Sequence, residues 1–139
     1  MSINPLPQRR VLPSRTLPTP RFRYSPVVQA GPFAFVSGLV ALDATTGRLI
    51  VGGAHAETAQ ILANLKRLAD EMGWSLDQLL VARIFCADFS AFAEVNRAWE
   101  EFFADVVPPA RTSVGVSALP LGALVEMEFQ FVVDQPAAA

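Results

Sequence analysis

Arg111 is the residue of this chain with the clearest chemical purpose. It stands in the segment Pro108-Pro109-Ala110-Arg111-Thr112-Ser113-Val114-Gly115-Val116, where a sheet strand is expected to begin. A guanidinium keeps its charge in any protein environment, and its planar fork matches a carboxylate through two parallel hydrogen bonds. A small organic acid held by its carboxylate is therefore the first ligand to consider. Glu126 and Glu128, in Leu124-Val125-Glu126-Met127-Glu128, bring a second chemistry, because a carboxylate can orient or deprotonate a water. His55 is the only histidine and Cys86 the only cysteine, so no metal site and no Ser-His-Asp triad is expected. Such a tool set suits an undemanding reaction. Water adding to an already electrophilic C=N carbon, with loss of ammonia, needs positioning and modest acid–base help.

The elements that must position these groups follow from periodicity. Residues 1–20 read as an extended, partly mobile arm, with a short strand near Arg10–Leu12. A single domain is expected over 21–135, and 136–139 as a disordered tail. Val27–Ala30 and Phe33–Leu42 read as strands, followed by a loop at 43–47 and a short strand at Arg48–Val51. The clearest helix is Ala54–Gly73: Thr58, Ile61, Leu62, Leu65, Leu68, Ala69 and Met72 form its apolar stripe, with Glu57 among the residues off it. Gly73 suits its stop. Leu79–Cys86 reads as a buried strand. Ser90 is placed to cap a second helix, Ala91–Phe103, with Phe92, Val95, Trp99, Phe102 and Phe103 as its core stripe.

The last segment reads as a hairpin, Arg111–Leu119 and Leu124–Val133 around the turn at 120–123. Val125, Met127, Phe129, Phe131 and Val133 form an apolar face for the helices. Arg111, Ser113, Glu126 and Glu128 are then expected together on the open face. A turn centred on Leu121-Gly122 sets Ser117 opposite Glu126 and Arg111 opposite Val132. Arg111 and Glu126 would lie ~20 Å apart along the ladder, too far to share a site within one subunit. An oligomer with sites across subunit boundaries follows. Small residues at 113, 115 and 117 would let another backbone approach. The plan is α+β: a mixed sheet with two helices packed on one face.

The totals agree with a folded domain. Of 139 residues, 52% are hydrophobic and 17% charged, and the mean hydropathy of +0.35 suggests apolar surface covered by partner subunits. Net charge is −2 but uneven. Five arginines, Arg9 to Arg23, precede the first acidic residue, Asp43, leaving six basic against thirteen acidic side chains, net −7, in the rest. No basic stretch interleaves with aromatics, so nucleic-acid binding is not favoured, and the basic head reads as a solvated arm. A lone cysteine fits a reducing compartment, no apolar run spans a bilayer, and a cytoplasmic location without membrane partners is expected.

Several segments together resemble a known family. Tyr24-Ser25, Gly31, Phe35-Val36-Ser37-Gly38, Thr46-Gly47, Asn64-Leu65-Lys66, Phe92-Ala93-Glu94-Val95-Asn96, Phe102-Phe103, Pro109-Ala110-Arg111-Thr112 and Leu124-Val125-Glu126-Met127-Glu128 stand in the order and spacing of the reactive intermediate deaminase (Rid/YjgF) family. The resemblance runs from about Tyr24 to Val133. It implies a chorismate mutase-like fold, a homotrimer with clefts between subunits, and no cofactor. It also implies hydrolysis of 2-imino acids or enamines, such as 2-iminobutanoate and 2-iminopropanoate, to 2-oxo acids and ammonia. Carried over, Arg111 would grip the substrate carboxylate and Glu126 would position water. The backbone at Gly38 and Ser113 would line the pocket, and Tyr24 and Phe92 would wall it.

Structural roles stand beside these: Tyr24 packing a loop, Phe92 in helix core, Gly38 serving a bend, Glu128 at the trimer axis or surface. Ser113 replaces the cysteine of many members, which removes thiol-dependent modification there. Leu39 after Ser-Gly makes that wall greasier, and Phe22-Arg23 replaces Gly-Pro, so these departures bear on the substrate more than on the fold and leave a larger or differently shaped acid open. Three further readings stay open. One is a non-catalytic 2-oxo acid-binding or regulatory trimer, one a catabolic deaminase of a larger enamine acid, and one a chaperone or ribonuclease role resting on the basic head.

Overall fold

The strand with the most regularly buried apolar face, Val125–Val132, occupies a central position in the sheet, and that choice sets the topology. The structure, a computed structural model, describes residues 5–134; the tail expected at 136–139 and the first four residues of the expected arm lie outside them. Six strands form one mixed sheet: β1 (Arg10–Val11), β2 (Val27–Ala30), β3 (Phe33–Leu39), β4 (Leu79–Cys86), β5 (Ala110–Gly115) and β6 (Val125–Val132), in the order β1-β2-β3-β6-β4-β5. Two helices, α1 (Gly53–Met72) and α2 (Phe92–Phe102), complete an α+β fold.

β6 alternates Val125, Met127, Phe129 and Phe131, all buried, with the half-buried Glu126, Glu128 and Gln130. Burying such side chains is worth ~1.5–3 kcal/mol each, so this strand gains most from flanks on both sides. It pairs antiparallel with both β3 and β4. β5 carries Arg111, Thr112, Ser113 and Gly115, is mostly exposed, and sits at the sheet edge, parallel to β4. The expected hairpin between the last two strands therefore does not form. Residues 116–124 carry the chain past β4 instead, and Pro120–Gly122 is a short 3-10 turn.

α1 lays Ile61, Leu62, Leu65 and Leu68 into the same core, fully buried, as its periodicity predicts. Gly73 ends it in the left-handed region at φ 76°, its N–H donating back to the last carbonyls. Asp88, rather than Ser90, caps the turn before α2: its carboxylate accepts from the Ser90 N–H and hydroxyl. The short strand expected near Arg10–Leu12 forms at Arg10–Val11. Leu12 and Leu17 are buried in the main core, and the Glu71 carboxylate accepts from Ser14, Thr16 and the Arg15 N–H. Arg48–Val51 is reduced to an isolated bridge, Leu42 to Leu49.

Glu57 departs from its expected solvent-facing position. Only 4% exposed, its Oε1 accepts from the backbone N–H groups of Leu124 (3.0 Å) and Val125 (3.3 Å). This carboxylate fastens the start of β6 to the start of α1. Removing it leaves two donors without partners, each costing about 1–3 kcal/mol where buried. Glu57→Ala is expected to destabilise the protein by about 2 kcal/mol or more. A urea midpoint at fixed protein concentration checks this; an unchanged midpoint contradicts it.

Candidate functional site

Arg111 projects from β5 on the helix-covered side of the sheet, where it is level with the buried Ala82 of β4. Its guanidinium carbon lies 5.5 Å from the Phe92 ring centroid and 5.2 Å from that of Trp99. Phe92 and Trp99 are two helical turns apart on one face of α2 and so form a two-jawed seat for a planar cation. Phe92 is backed by Phe89 in a stacked pair at 4.8 Å, and Trp99 by Phe103 at 4.5 Å. Gly115 makes room for Phe89: a Cβ there would meet the Phe89 Cβ at 3.3 Å. Its smallness thus serves this chain's own aromatic. Among the described residues, no carboxylate lies within ion-pair distance of Arg111 and no acceptor bonds it. Ser113, level with Ile84 on the same side, has a buried Oγ with no hydrogen-bond partner. A cation and an unpartnered hydroxyl together are a ready seat for a carboxylate.

Glu126 leaves the other side of the sheet. It is level with Phe85, three residues along β4 from Ala82, so alternation separates it from Arg111 by both face and two strand positions. The expectation that Arg111, Ser113, Glu126 and Glu128 share the open face is corrected accordingly. Only Glu126 and Glu128 are there, with Glu128 at 3.6 Å from Arg83.

The Glu126 carboxylate lies against Gly38, where a Cβ would come within 2.9 Å of the Glu126 Cδ. Gly38 is therefore required by close approach. A register shift in β3 between Val36 and Leu39 presents it, and the Ser37 hydroxyl holds the shifted backbone by donating to the Ser25 carbonyl at 2.7 Å. Burial, and then the like charge of Glu128, push the Glu126 carboxyl above the usual glutamate range.

Glu126 and Gly38 border a cavity of about 460 Å³, which Tyr24, Leu39, Asn64 and Leu121 also line. Leu121 is held at φ +61°, an uncommon strain for a branched side chain, directly at this rim. The structure thus makes two groups of the site residues expected from sequence. Tyr24, Gly38 and Glu126 lie together, Arg111, Phe92 and Ser113 lie together, and the sheet stands between them. Trp99 is buried in the core, as its place in the helix stripe predicts, and its ring also meets the Arg111 guanidinium, a second contact that its seven-residue spacing from Phe92 allows.

The sheet order and this divided site define an α+β protein of the Rid type. Residues 14–133 match the family model described as Endoribonuclease L-PSP, and the chain belongs to that family, the Rid/YjgF family. It is 38% identical to a RutC family protein of Aquifex aeolicus over 80% of this chain and 89% of the relative. It is 32% identical to the 2-iminobutanoate/2-iminopropanoate deaminase of Mus musculus over 86% of this chain and 88% of that protein. Among solved structures, the Rid family protein YyfA of Yersinia pestis superposes with a TM-score of 0.84 at 28% identity, covering 91% of this chain and all of that one.

The raised carboxyl of Glu126 has a stability consequence with a definite sign. A folded-state value above the unfolded one means the fold favours the protonated form. That contribution is full below the unfolded value and is lost as pH rises through the folded value. At neutral pH the fold holds the unfavoured anion. Glu126→Gln is expected to raise the thermal midpoint at pH 7 relative to wild type, with the gain vanishing toward pH 4. Melting curves across that range check it, and a lower midpoint at pH 7 contradicts it.

Proposed function

We propose that the protein hydrolyses 2-imino acids, or their enamine tautomers of the 2-aminoacrylate and 2-aminocrotonate type, to 2-oxo acids and ammonia. The observation that carries the reading is the unpaired Arg111 guanidinium, held between Phe92 and Trp99 and flanked by the unpartnered Ser113 hydroxyl. Such a group fits a carboxylate supplied from outside the chain. A relative from Mus musculus and one from Dermatophagoides farinae, 32% and 30% identical, carry the name 2-iminobutanoate/2-iminopropanoate deaminase, which supports this substrate class.

In this mechanism Arg111 grips the substrate carboxylate through both arms of its fork. Glu126 takes a proton from water as the water oxygen adds to the imine carbon, and returns it to the nitrogen to give the neutral amino alcohol. Glu126 then takes the hydroxyl proton and delivers it to the nitrogen as the C=O forms and the C–N bond breaks, so that ammonia leaves and the carboxylate is regenerated. Atoms and charge balance, and no redox partner or cofactor is required. A carboxylate whose pKa is raised above the usual glutamate range is a stronger base toward water than an ordinary glutamate.

Arg111 and Glu126 meet only if two chains contribute to one site. We place the site at the boundary between copies in a homotrimer, with Arg111, Phe92 and Ser113 from one and Tyr24, Gly38 and Glu126 from the next. The open sheet face supports assembly, since it exposes Phe33, Phe35, Leu80, Val114 and Val132. A cytoplasmic setting suits the single, buried Cys86 thiol.

A pure 2-oxo acid sensor would use Arg111 without needing Glu126 as a base, so turnover is the deciding measurement. Arg111→Ala is expected to lower kcat/KM for 2-iminobutanoate at least about 100-fold, from the loss of charge-assisted bonds worth about 1.5–3 kcal/mol each, with the thermal midpoint nearly unchanged. A coupled imine-hydrolysis assay reads this. Wild-type turnover by Arg111→Ala, or binding of 2-oxobutanoate without any wild-type turnover, contradicts the proposal.

A further inference from the structure

We propose that the cavity beside Glu126 accepts 2-imino acids that carry a second carboxylate on the side chain, and that Arg21 recognises this distal group. The inference rests on the deaminase reading above and names a substrate class for the same site. Arg21 is the one lysine or arginine among the residues that line the cavity, and Glu126 is its one carboxylate. No ion pair joins the two, and none engages Arg21 among the described residues. The guanidinium makes a single long hydrogen bond, from Nη2 to the Gly47 carbonyl at 3.4 Å. Most of its donors are left for a ligand.

The segment presenting Arg21 is stiff. Leu17 anchors it in the core, and Ser14, Arg15 and Thr16 fasten it to the Glu71 carboxylate. Pro18 and Pro20 then fix the backbone immediately before Arg21. The carbonyl that receives Arg21 is equally fixed. Gly47 closes a turn in which Asp43 Oδ1 accepts from the N–H groups of Thr45 and Thr46, both at 2.8 Å, and the Gly47 N–H donates to the Asp43 carbonyl. The backbone that presents Arg21 is thus fixed, and its exposed side chain extends from a settled position at one wall.

The remaining lining favours this assignment. Pro20, Phe22, Leu39 and Leu121 are apolar, and two of the polar groups are already engaged. Asn64 donates to the Leu42 carbonyl at 2.8 Å and Ser37 to Ser25. The exposed Arg21 guanidinium, with no carboxylate partner among the described residues, offers charge-assisted hydrogen bonds to an anion at the cavity rim. The volume of about 460 Å³ lies in the range that takes drug-sized molecules, well beyond what 2-iminopropanoate fills. A substrate whose reacting carbon lies at Glu126 therefore has room to extend a side-chain carboxylate toward Arg21.

The test compares imines generated in the assay by amino-acid oxidases. Glutamate and aspartate supply the dicarboxylic class, and glutamine and methionine the neutral class. The wild type is expected to have the higher kcat/KM on the dicarboxylic imines. Arg21→Gln is expected to lower the dicarboxylic-to-neutral ratio about 10- to 100-fold, chiefly through KM, as the loss of one or two charge-assisted bonds requires. Arg21→Lys should recover part of the ratio. A wild-type ratio at or below one, or a ratio that Arg21→Gln leaves unchanged while neutral imines are still hydrolysed, overturns this inference alone. Absence of turnover on both classes overturns the deaminase reading and this inference with it.

Discussion

A permanently charged guanidinium and a proton-accepting carboxylate project from opposite faces of one β-sheet. Arg111 cannot discharge itself, and no side chain among the described residues neutralises it. Two aromatic faces orient it instead, an interaction of about 0.5–2 kcal/mol that fixes direction without satisfying the charge. Glu126, on the far side, is pushed toward its neutral form by burial and by Glu128. Neither group is at rest where it stands, and a sheet is too thick and too well packed to bring them together within one chain. The proposed chemistry depends on a second copy crossing that barrier.

Both halves of the site are built from rigid parts. The aromatic seat for Arg111 belongs to α2, which the core holds through Val95, Ala98 and Trp99. The Glu126 half depends on three less regular devices. Glu57 ties down the start of β6, the shifted register of β3 presents Gly38, and the strained Leu121 stands at the rim. Strain and close approach concentrate around the carboxylate, as they do where preorganisation matters more than stability.

Much of this was legible in sequence because it is local. α1 shows a continuous three-and-four spacing, and β4 is an apolar run broken only by Arg83; both appear almost where expected. The terminal hairpin was not legible because nearness along the chain competes with burial. Only the whole sheet shows that β6 gains more between β3 and β4, and that a strand bearing Arg111 and Ser113 belongs at an edge. The error carried over to the faces: Arg111 follows the register of its parallel partner β4, not that of β6. Glu57 was misread for a related reason, since a buried carboxylate becomes intelligible only beside the backbone donors it serves, 67 and 68 residues away. Arg111, Glu126 and Gly38 could be singled out from sequence as candidates, while the sheet that stands between Arg111 and Glu126 could not.

Subunit complementation tests the central claim most directly. The Arg111→Ala and Glu126→Gln variants, each expected to be inactive alone, are unfolded together, refolded as a 1:1 mixture and assayed for imine hydrolysis. A site shared between neighbouring copies predicts recovery to about a quarter of wild-type activity, because random assembly sets an intact Arg111 beside an intact Glu126 at about one boundary in four. A mixture no more active than the separate variants would contradict the account.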